Sequence, residues 1–362
     1  MDFSQYGVPS LEWQTFIKTN PEAGLPASFP PDLAPEQIQA GVNAMQQARM
    51  RALFDSSGLA SRIDIRDHQV PTRDGSAITI REYRPKDAEA SDTSGGELPL
   101  LGAIVHFHGG GFLFGSLESE LVKCATAASS LGVVVLHVCY RHTPAFTHPT
   151  AHHDAEDGTR WIASQAESLL RIDTNRIVVH GPSAGASVAA STAMTLLKDP
   201  QLNLHPRGLV LPMPWLVHKD VFPVHLFTSR EIVSQVQCAD APGLSMASID
   251  YFTDLLKVQD PQDPLLNMAL RSDEELRLLP KTAIMVSGND PLRDEGLLLA
   301  TRLKKIGVRT KVHIFQGLPH TFRLLDGFPS NARYDTLLVE SLKWTLDEGS
   351  ADSPTENWVV EQ

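Results

Sequence analysis

Short apolar runs alternate with stretches of helical composition over most of the chain. The runs at 101–107, 132–139, 176–181, 208–213, 282–288 and 309–315 are rich in Val, Ile, Leu and Phe, and each predicts a strand. Strands that alternate with helical segments predict an α/β fold with a mostly parallel, doubly wound sheet. Upstream, 67–85 predicts a β-hairpin, because Ile80 and Tyr83 stand in an extended pattern after the turn Arg73-Asp74-Gly75. Residues 1 to about 60 show amphipathic helical pieces, with one long helix from near Pro35 to Phe54. Proline suits a first helical turn because its missing N–H would have no intrahelical partner there. The stretch 86–99 is rich in Ala, Ser, Asp and Gly and has no period, so a mobile surface loop is expected.

One segment breaks the alternation. About seventy residues separate Met213 from Thr282, and they include Leu216, Val217, Phe222, Leu226, Phe227, Tyr251, Phe252, Leu255 and Leu256. A structureless connection of that length is unusual, so helices are expected within it.

The candidate chemistry lies at the ends of the predicted strands. Ser183 is the centre of Gly181-Pro182-Ser183-Ala184-Gly185, a G-x-S-x-G between the run 176–179 and a small-residue helix at 186–191. A serine on such a sharp strand-to-helix turn is lifted above the sheet edge, with the helix N–H groups behind it. His106-Phe107-His108-Gly109-Gly110-Gly111-Phe112 follows another strand. Three glycines there leave backbone N–H groups unshielded, as the oxyanion of acyl transfer requires. A phosphate loop would carry a Lys-Ser/Thr pair or a G-x-G-x-x-G spacing, and neither is present. The strand 282–288 ends in Asn289-Asp290-Pro291-Leu292-Arg293-Asp294-Glu295, and the strand 309–315 leads to Gly317-Leu318-Pro319-His320-Thr321-Phe322. The chain order is Ser, Asp, His. Asp290 comes first after its strand and is expected to face the sheet edge, with Asp294 capping the helix that follows.

These motifs resemble the hormone-sensitive-lipase-like branch of the α/β-hydrolases, which carries H-G-G-G, G-x-S-A-G, D-P-L-x-D-E and H-x-F. Tyr140-Arg141-His142-Thr143-Pro144, with Asp154-Ala155, resembles that family's Y-R-x-x-P segment, and the likeness covers roughly 75 to 345. It implies an α/β-hydrolase fold with a helical cap. It implies Ser183 as nucleophile, His320 as general base and acid, and Asp290 as the residue that orients His320. The oxyanion hole would come from the N–H groups of Gly110, Gly111 and Ala184, with His108 and Gly109 supporting the loop. The likeness also implies a single domain over 1–362, capped by about 1–60 and about 216–275. Pro182, Ala186, and Ala145 with Phe146 depart from the family's usual acidic residue, second glycine, and Glu-His pair. The triad is untouched, but the substrate is left open.

Composition narrows the partners. The chain has 362 residues, 42% of them hydrophobic, enough for a large core. A formal net charge of −12 argues against nucleic acid as partner. No apolar run is long enough to span a bilayer. The first residues, Met1-Asp2-Phe3-Ser4-Gln5-Tyr6, lack the basic and apolar regions of a signal peptide. Cys124, Cys139 and Cys238 give no disulfide framework, and Cys139 fits a core strand position. With no N-x-S/T sequon, a cytoplasmic location is expected. The oligomeric state is left open. His142, His148, His152 and His153 with Asp154 suggest a metal site, but adjacent histidines on a helix cannot easily face one ion. No metal and no other cofactor is expected. The acidic tail 346–362 is expected to be solvated and flexible.

The reading favoured by the residues is hydrolysis of a carboxylic ester of a small hydrophobic molecule, a specialised-metabolite ester being one candidate. A lyase or cyclase on the same scaffold is the alternative, since a fold does not fix its chemistry. A non-catalytic small-molecule receptor is disfavoured, because Ser183 and His320 are both present.

Overall fold

The computed structural model describes residues 1–86, 100–347 and 358–361. Helices α1 (Leu11–Thr19) and α2 (Pro35–Ser56) precede the hairpin β1 (Ile63–Pro71) and β2 (Ala77–Pro85). Then come β3 (Leu101–His106), α3 (Leu121–Leu131), β4 (Val134–Cys139), α4 (Thr150–Gln165), β5 (Ile172–His180), α5 (Ala184–Lys198) and β6 (Pro206–Pro212). The long insertion holds the short α6 (Ser234–Gln237), then α7 (Met246–Leu256) and α8 (Asp273–Leu276). The chain ends with β7 (Lys281–Asn289), α9 (Arg293–Lys305), β8 (Thr310–Pro319), α10 (Ser330–Leu346) and β9 (Val359–Glu361).

Among the described residues the strands form one nine-stranded sheet in the order β1-β2-β4-β3-β5-β6-β7-β8-β9. β2 pairs antiparallel with β1 and β4, and every other pair is parallel. The crossing of β3 and β4 in this order puts the ends of β3 and β5 side by side. The central strands are buried on both faces, which is why they read as continuous apolar runs rather than alternating ones. One face packs against α4, α5 and α9 through residues such as Ile162, Val188 and Leu299. The other packs against α3 and α10 through Leu121, Cys124, Ala128 and Trp344.

All six expected parallel strands and the hairpin are present. β1 begins at Ile63, ahead of the expected hairpin start, because this edge strand is mostly exposed and carries little apolar period. The expected loop at 86–99 lies, but for Lys86, outside the described residues. So do 348–357 and 362 of the tail, while Val359–Glu361 forms β9 along β8 instead of a solvated end. Glu361 anchors β9 by bonding His313 at 3.1 Å and Arg333 at 2.9 Å. Cys139 is half-buried at the end of β4 rather than fully in the core, and its surroundings push the thiol up to about 11. No described helix is long and apolar enough to cross a membrane.

Candidate active site

Ser183 stands between β5 and α5 with φ 54° and ψ −124°, a backbone conformation that side chains rarely adopt. Several bonds hold it there. Its N–H donates to the Pro212 carbonyl at 2.9 Å, and its own carbonyl accepts from Ala186 and Trp215. The flanking glycines are needed for close approach. A Cβ at Gly181 would strike the Gly185 carbonyl, and one at Gly185 would strike the carbonyls of Phe107 and His108. The elbow and the glycine loop therefore touch backbone to backbone.

His320 follows β8, and its Nε2 lies 2.9 Å from Ser183 Oγ. Its Nδ1 lies 2.6 Å from Asp290 Oδ2. A carboxylate accepts and cannot donate, so Nδ1 carries the proton and Nε2 is free to accept from the serine hydroxyl. Asp290 is fully buried, and its second oxygen accepts the Leu292 N–H at 2.9 Å. One oxygen thus orients the imidazole while the other closes the loop. The N-terminal chain crosses directly over both strand ends. A Cβ at Gly288 would meet the Tyr6 carbonyl, and one at Gly317 would meet Val8 and Ser10.

Gly109, Gly110 and Gly111 follow β3. The Gly110 carbonyl accepts from Leu113 N–H at 3.1 Å and Phe114 N–H at 2.8 Å, which folds the loop into a compact turn. Gly110 and Gly111 have φ of 117° and 63°. Gly109 lies against the Pro182 carbonyl, so the departure at 182 still contributes a backbone contact. Ala184 begins α5 directly after Ser183. The structure brings Ser183, His320 and Asp290 together, with Ala184 directly after Ser183 and Gly109 beside it, and Gly110 and Gly111 continue the same loop.

His108 is fully buried beneath the loop, and burial lowers its pKa to about 4. Its ring stacks on Tyr140 with centroids 4.3 Å apart, and the Tyr140 hydroxyl donates to the His108 carbonyl. Nδ1 donates to the Gly109 carbonyl at 2.8 Å, which leaves Nε2 to accept from His142 Nε2 at 3.1 Å. Two neutral imidazoles thereby support the glycine turn from below.

His148 and His152 are ring neighbours, with centroids 5.4 Å apart, but their polar partners differ. His148 pairs with Asp263, His152 bonds Ser187, and Asp154 accepts a bidentate Arg141. Among the described residues, no cluster of His, Cys, Asp or Glu has a metal-binding arrangement. Asp294 does not cap its own helix. It accepts the Ser234 N–H at 2.7 Å and pairs with Arg293 at 2.8 Å, both side chains wholly buried. The neighbouring Glu295 accepts the N–H groups of Leu216 and Val217, and burial raises its pKa well above the usual carboxylate value. Asp294 and Glu295 thus fasten the long insertion to the end of β7.

Sequence reasoning missed a buried histidine row. His137, His106 and His180 lie side by side on β4, β3 and β5. His106 Nδ1 lies 2.8 Å from His180 Nδ1, and its Nε2 lies 3.2 Å from Glu120. Each of the three stands near the end of an expected strand, which was the available signal.

A model of the α/β-hydrolase fold family matches residues 104–324. The versiconal hemiacetal acetate esterase of Dothistroma septosporum is 29% identical, over 87% of this chain and 89% of that protein. The ethyl acetate hydrolase of Pseudomonas putida is 32% identical, over 88% of this chain and 100% of that protein. The chain belongs to the α/β-hydrolase family, in its hormone-sensitive-lipase-like branch. Within that family it is a hydrolase of the carboxylesterase type. The crystal structure of vibralactone cyclase superposes with a TM-score of 0.82 at 24% identity, covering 94% of this chain and 96% of that one, which is a likeness of fold.

Proposed function

We propose that this α/β-hydrolase cleaves acetate esters of small hydrophobic alcohols through a serine acyl-enzyme. The observation that carries the reading is the hydrogen-bonded chain Ser183 Oγ to His320 Nε2 to Asp290, at 2.9 Å and 2.6 Å. Ser183 Oγ attacks the ester carbonyl and passes its proton to His320 Nε2. Asp290 holds the imidazole in the accepting tautomer and stabilises the imidazolium that forms. The N–H groups of Gly110, Gly111 and Ala184 stabilise the oxyanion. His320 then gives its proton to the leaving alcohol. Water, deprotonated by the same nitrogen, releases the acid and restores Ser183. No step calls for a metal or organic cofactor.

The acetyl preference is supported by the names of two relatives, one a hemiacetal acetate esterase and one an ethyl acetate hydrolase. A hydrophobic alcohol is supported by the aromatic group beside the glycine turn. Phe252 lies against Gly111, and Phe29, Phe114 and Tyr251 pack around it. Phe29, Tyr251 and Phe252 belong to the segments about 1–60 and about 216–275, which we take to form the cap, and Phe114 belongs to the glycine turn itself.

A series of p-nitrophenyl esters of rising acyl length tests the substrate class. The expected result is greatest kcat/KM for acetate, falling as the acyl chain lengthens. A maximum at long acyl chains would overturn the acetyl preference. Absence of any turnover, or undiminished turnover by Ser183→Ala, would overturn ester hydrolysis by this serine and favour elimination or cyclisation chemistry on the same scaffold.

A further inference from the structure

Of the 22 residues of α2, Ile38 and Phe54 alone are buried. Its apolar packing is limited to Ile38, Phe54 and the partly buried Val42, and polar bonds directed at the glycine turn add to it. Gln39 and Asn43 stand one helical turn apart on the same face. Gln39 Nε2 donates to the Leu113 carbonyl at 2.6 Å and to the Thr143 carbonyl at 2.9 Å. Asn43 Oδ1 accepts the Gly115 N–H at 3.0 Å. The partners fix both amide orientations. Two carbonyls require the Gln39 nitrogen, and an N–H requires the Asn43 oxygen.

The segment they hold is the one that carries Gly110 and Gly111. Leu113 and Phe114 close the turn onto the Gly110 carbonyl, and Thr143 N–H donates to the Phe112 carbonyl at 2.9 Å. Phe112 has φ 61°, a conformation that a side chain adopts only when its surroundings over-determine it. His108 and His142 support the turn from below. On the α2 side, the bonds to Leu113, Thr143 and Gly115 come from Gln39 and Asn43. Further along, the same helix reaches the loop after His320, where Arg49 donates to the Leu324 carbonyl at 2.8 Å and pairs with Asp326.

We propose that Gln39 and Asn43 are positioning residues for the oxyanion loop, so that docking of α2 and assembly of the oxyanion hole are one event. This rests on the esterase reading above. Gln39 acts as a donor and Asn43 as an acceptor, and neither touches the reacting atoms.

The test compares Asn43→Leu, Asn43→Asp and Gln39→Glu in the full chain. Two measurements are made on each, p-nitrophenyl acetate kinetics and hydrogen–deuterium exchange of peptides over 109–117. Asn43→Leu and Gln39→Glu are expected to lower kcat about 10- to 100-fold with KM changed by less than about twofold, as misplaced transition-state donors do. Asn43→Asp keeps the acceptor and is expected to stay within about twofold of the parent. Exchange over 109–117 should quicken in the two deficient variants, while peptides from β3 and α5 keep their rates. Unchanged kcat and exchange in both deficient variants would overturn the proposal. So would an Asn43→Asp defect as deep as that of Asn43→Leu. If the parent enzyme does not hydrolyse the ester, the esterase reading fails on its own. Exchange then decides alone: quickening supports the coupling of α2 to the loop, and unchanged rates overturn it.

Discussion

Helix α5 starts directly after the candidate serine and α2 lies on the glycine turn, and the two are held in opposite ways. In α5, 12 of 15 residues are buried, most of them Ala or Ser, so the helix sits close on the sheet directly behind Ser183. In α2, two of 22 are buried, and the contacts are Gln39, Asn43, Arg49 and Arg51 to loops below. Apolar packing of the first kind is released only with the core. Side-chain hydrogen bonds of the second kind exchange with water at a net cost of about 0.5–1.5 kcal/mol each. The molecule thus places its strained serine on a rigid layer and covers the glycine turn with an element that can be loosened.

The largest effect belongs to the rigid layer. Asp290→Asn should lower kcat roughly 10⁴-fold, because an amide in place of the acid favours the wrong imidazole tautomer. Its melting temperature should stay close to the parent's, and kinetics beside thermal melting check both. A loss confined to stability would assign Asp290 a structural role instead.

Asp294→Asn should behave in the reverse sense. It leaves the wholly buried Arg293 unpaired and weakens the bond to Ser234, at a cost of roughly 3–5 kcal/mol. Urea unfolding reads this directly. A cost near 1 kcal/mol would mean that Asp294 is no more than a helix cap.

The histidine layer gives the sheet an acid-sensitive stability that α2 lacks. Burial lowers the pKa of His108 to about 4 and of His152 to about 3, and holds His137, His142 and His180 well below the usual imidazole value. The unfolded chain binds these protons near pH 6.5 and the folded one does not. Stability is therefore full above about pH 6.5 and is lost as pH falls toward the folded values, by roughly 1.4 kcal/mol per pH unit for each group. Urea midpoints at pH 8, 7, 6 and 5 should fall steeply below 6.5. A flat profile would show that His108, His137, His142, His152 and His180 are not held neutral by burial in the folded protein.

The smallest effect is expected on the outer face of α2. Met45 is 66% exposed there, and Met45→Ala should change stability by less than about 0.5 kcal/mol. A cost of several kcal/mol would mean that this face is covered by something, and the contrast between the two helices would have to be redrawn.

The sequence disclosed the parts of the molecule whose requirements are local. Six parallel strands were legible as apolar runs, and Ser183, Asp290 and His320 were legible because each sits at a strand end in a short motif. Contacts between distant segments were not. The row His137-His106-His180 depends on cross-strand register, which no single strand encodes. Asp294 reads as a cap from its place in α9, and its partner Ser234 lies far away in the chain. The strand β9 is three residues long and follows a stretch without period, so it gave no signal. Gln39 and Asn43 looked like the polar face of an ordinary amphipathic helix. Their partners are main-chain groups 72 to 104 residues on, visible only once the chain is folded.

Ser183 as the reacting atom is tested most directly by a fluorophosphonate, with the labelled peptide located by mass spectrometry in the parent enzyme and in Asp290→Asn. The expected result is one stoichiometric label on Ser183, acquired far more slowly in Asp290→Asn at equal folding. A label on another residue, or active enzyme that takes no label, would contradict the triad built from Ser183, His320 and Asp290.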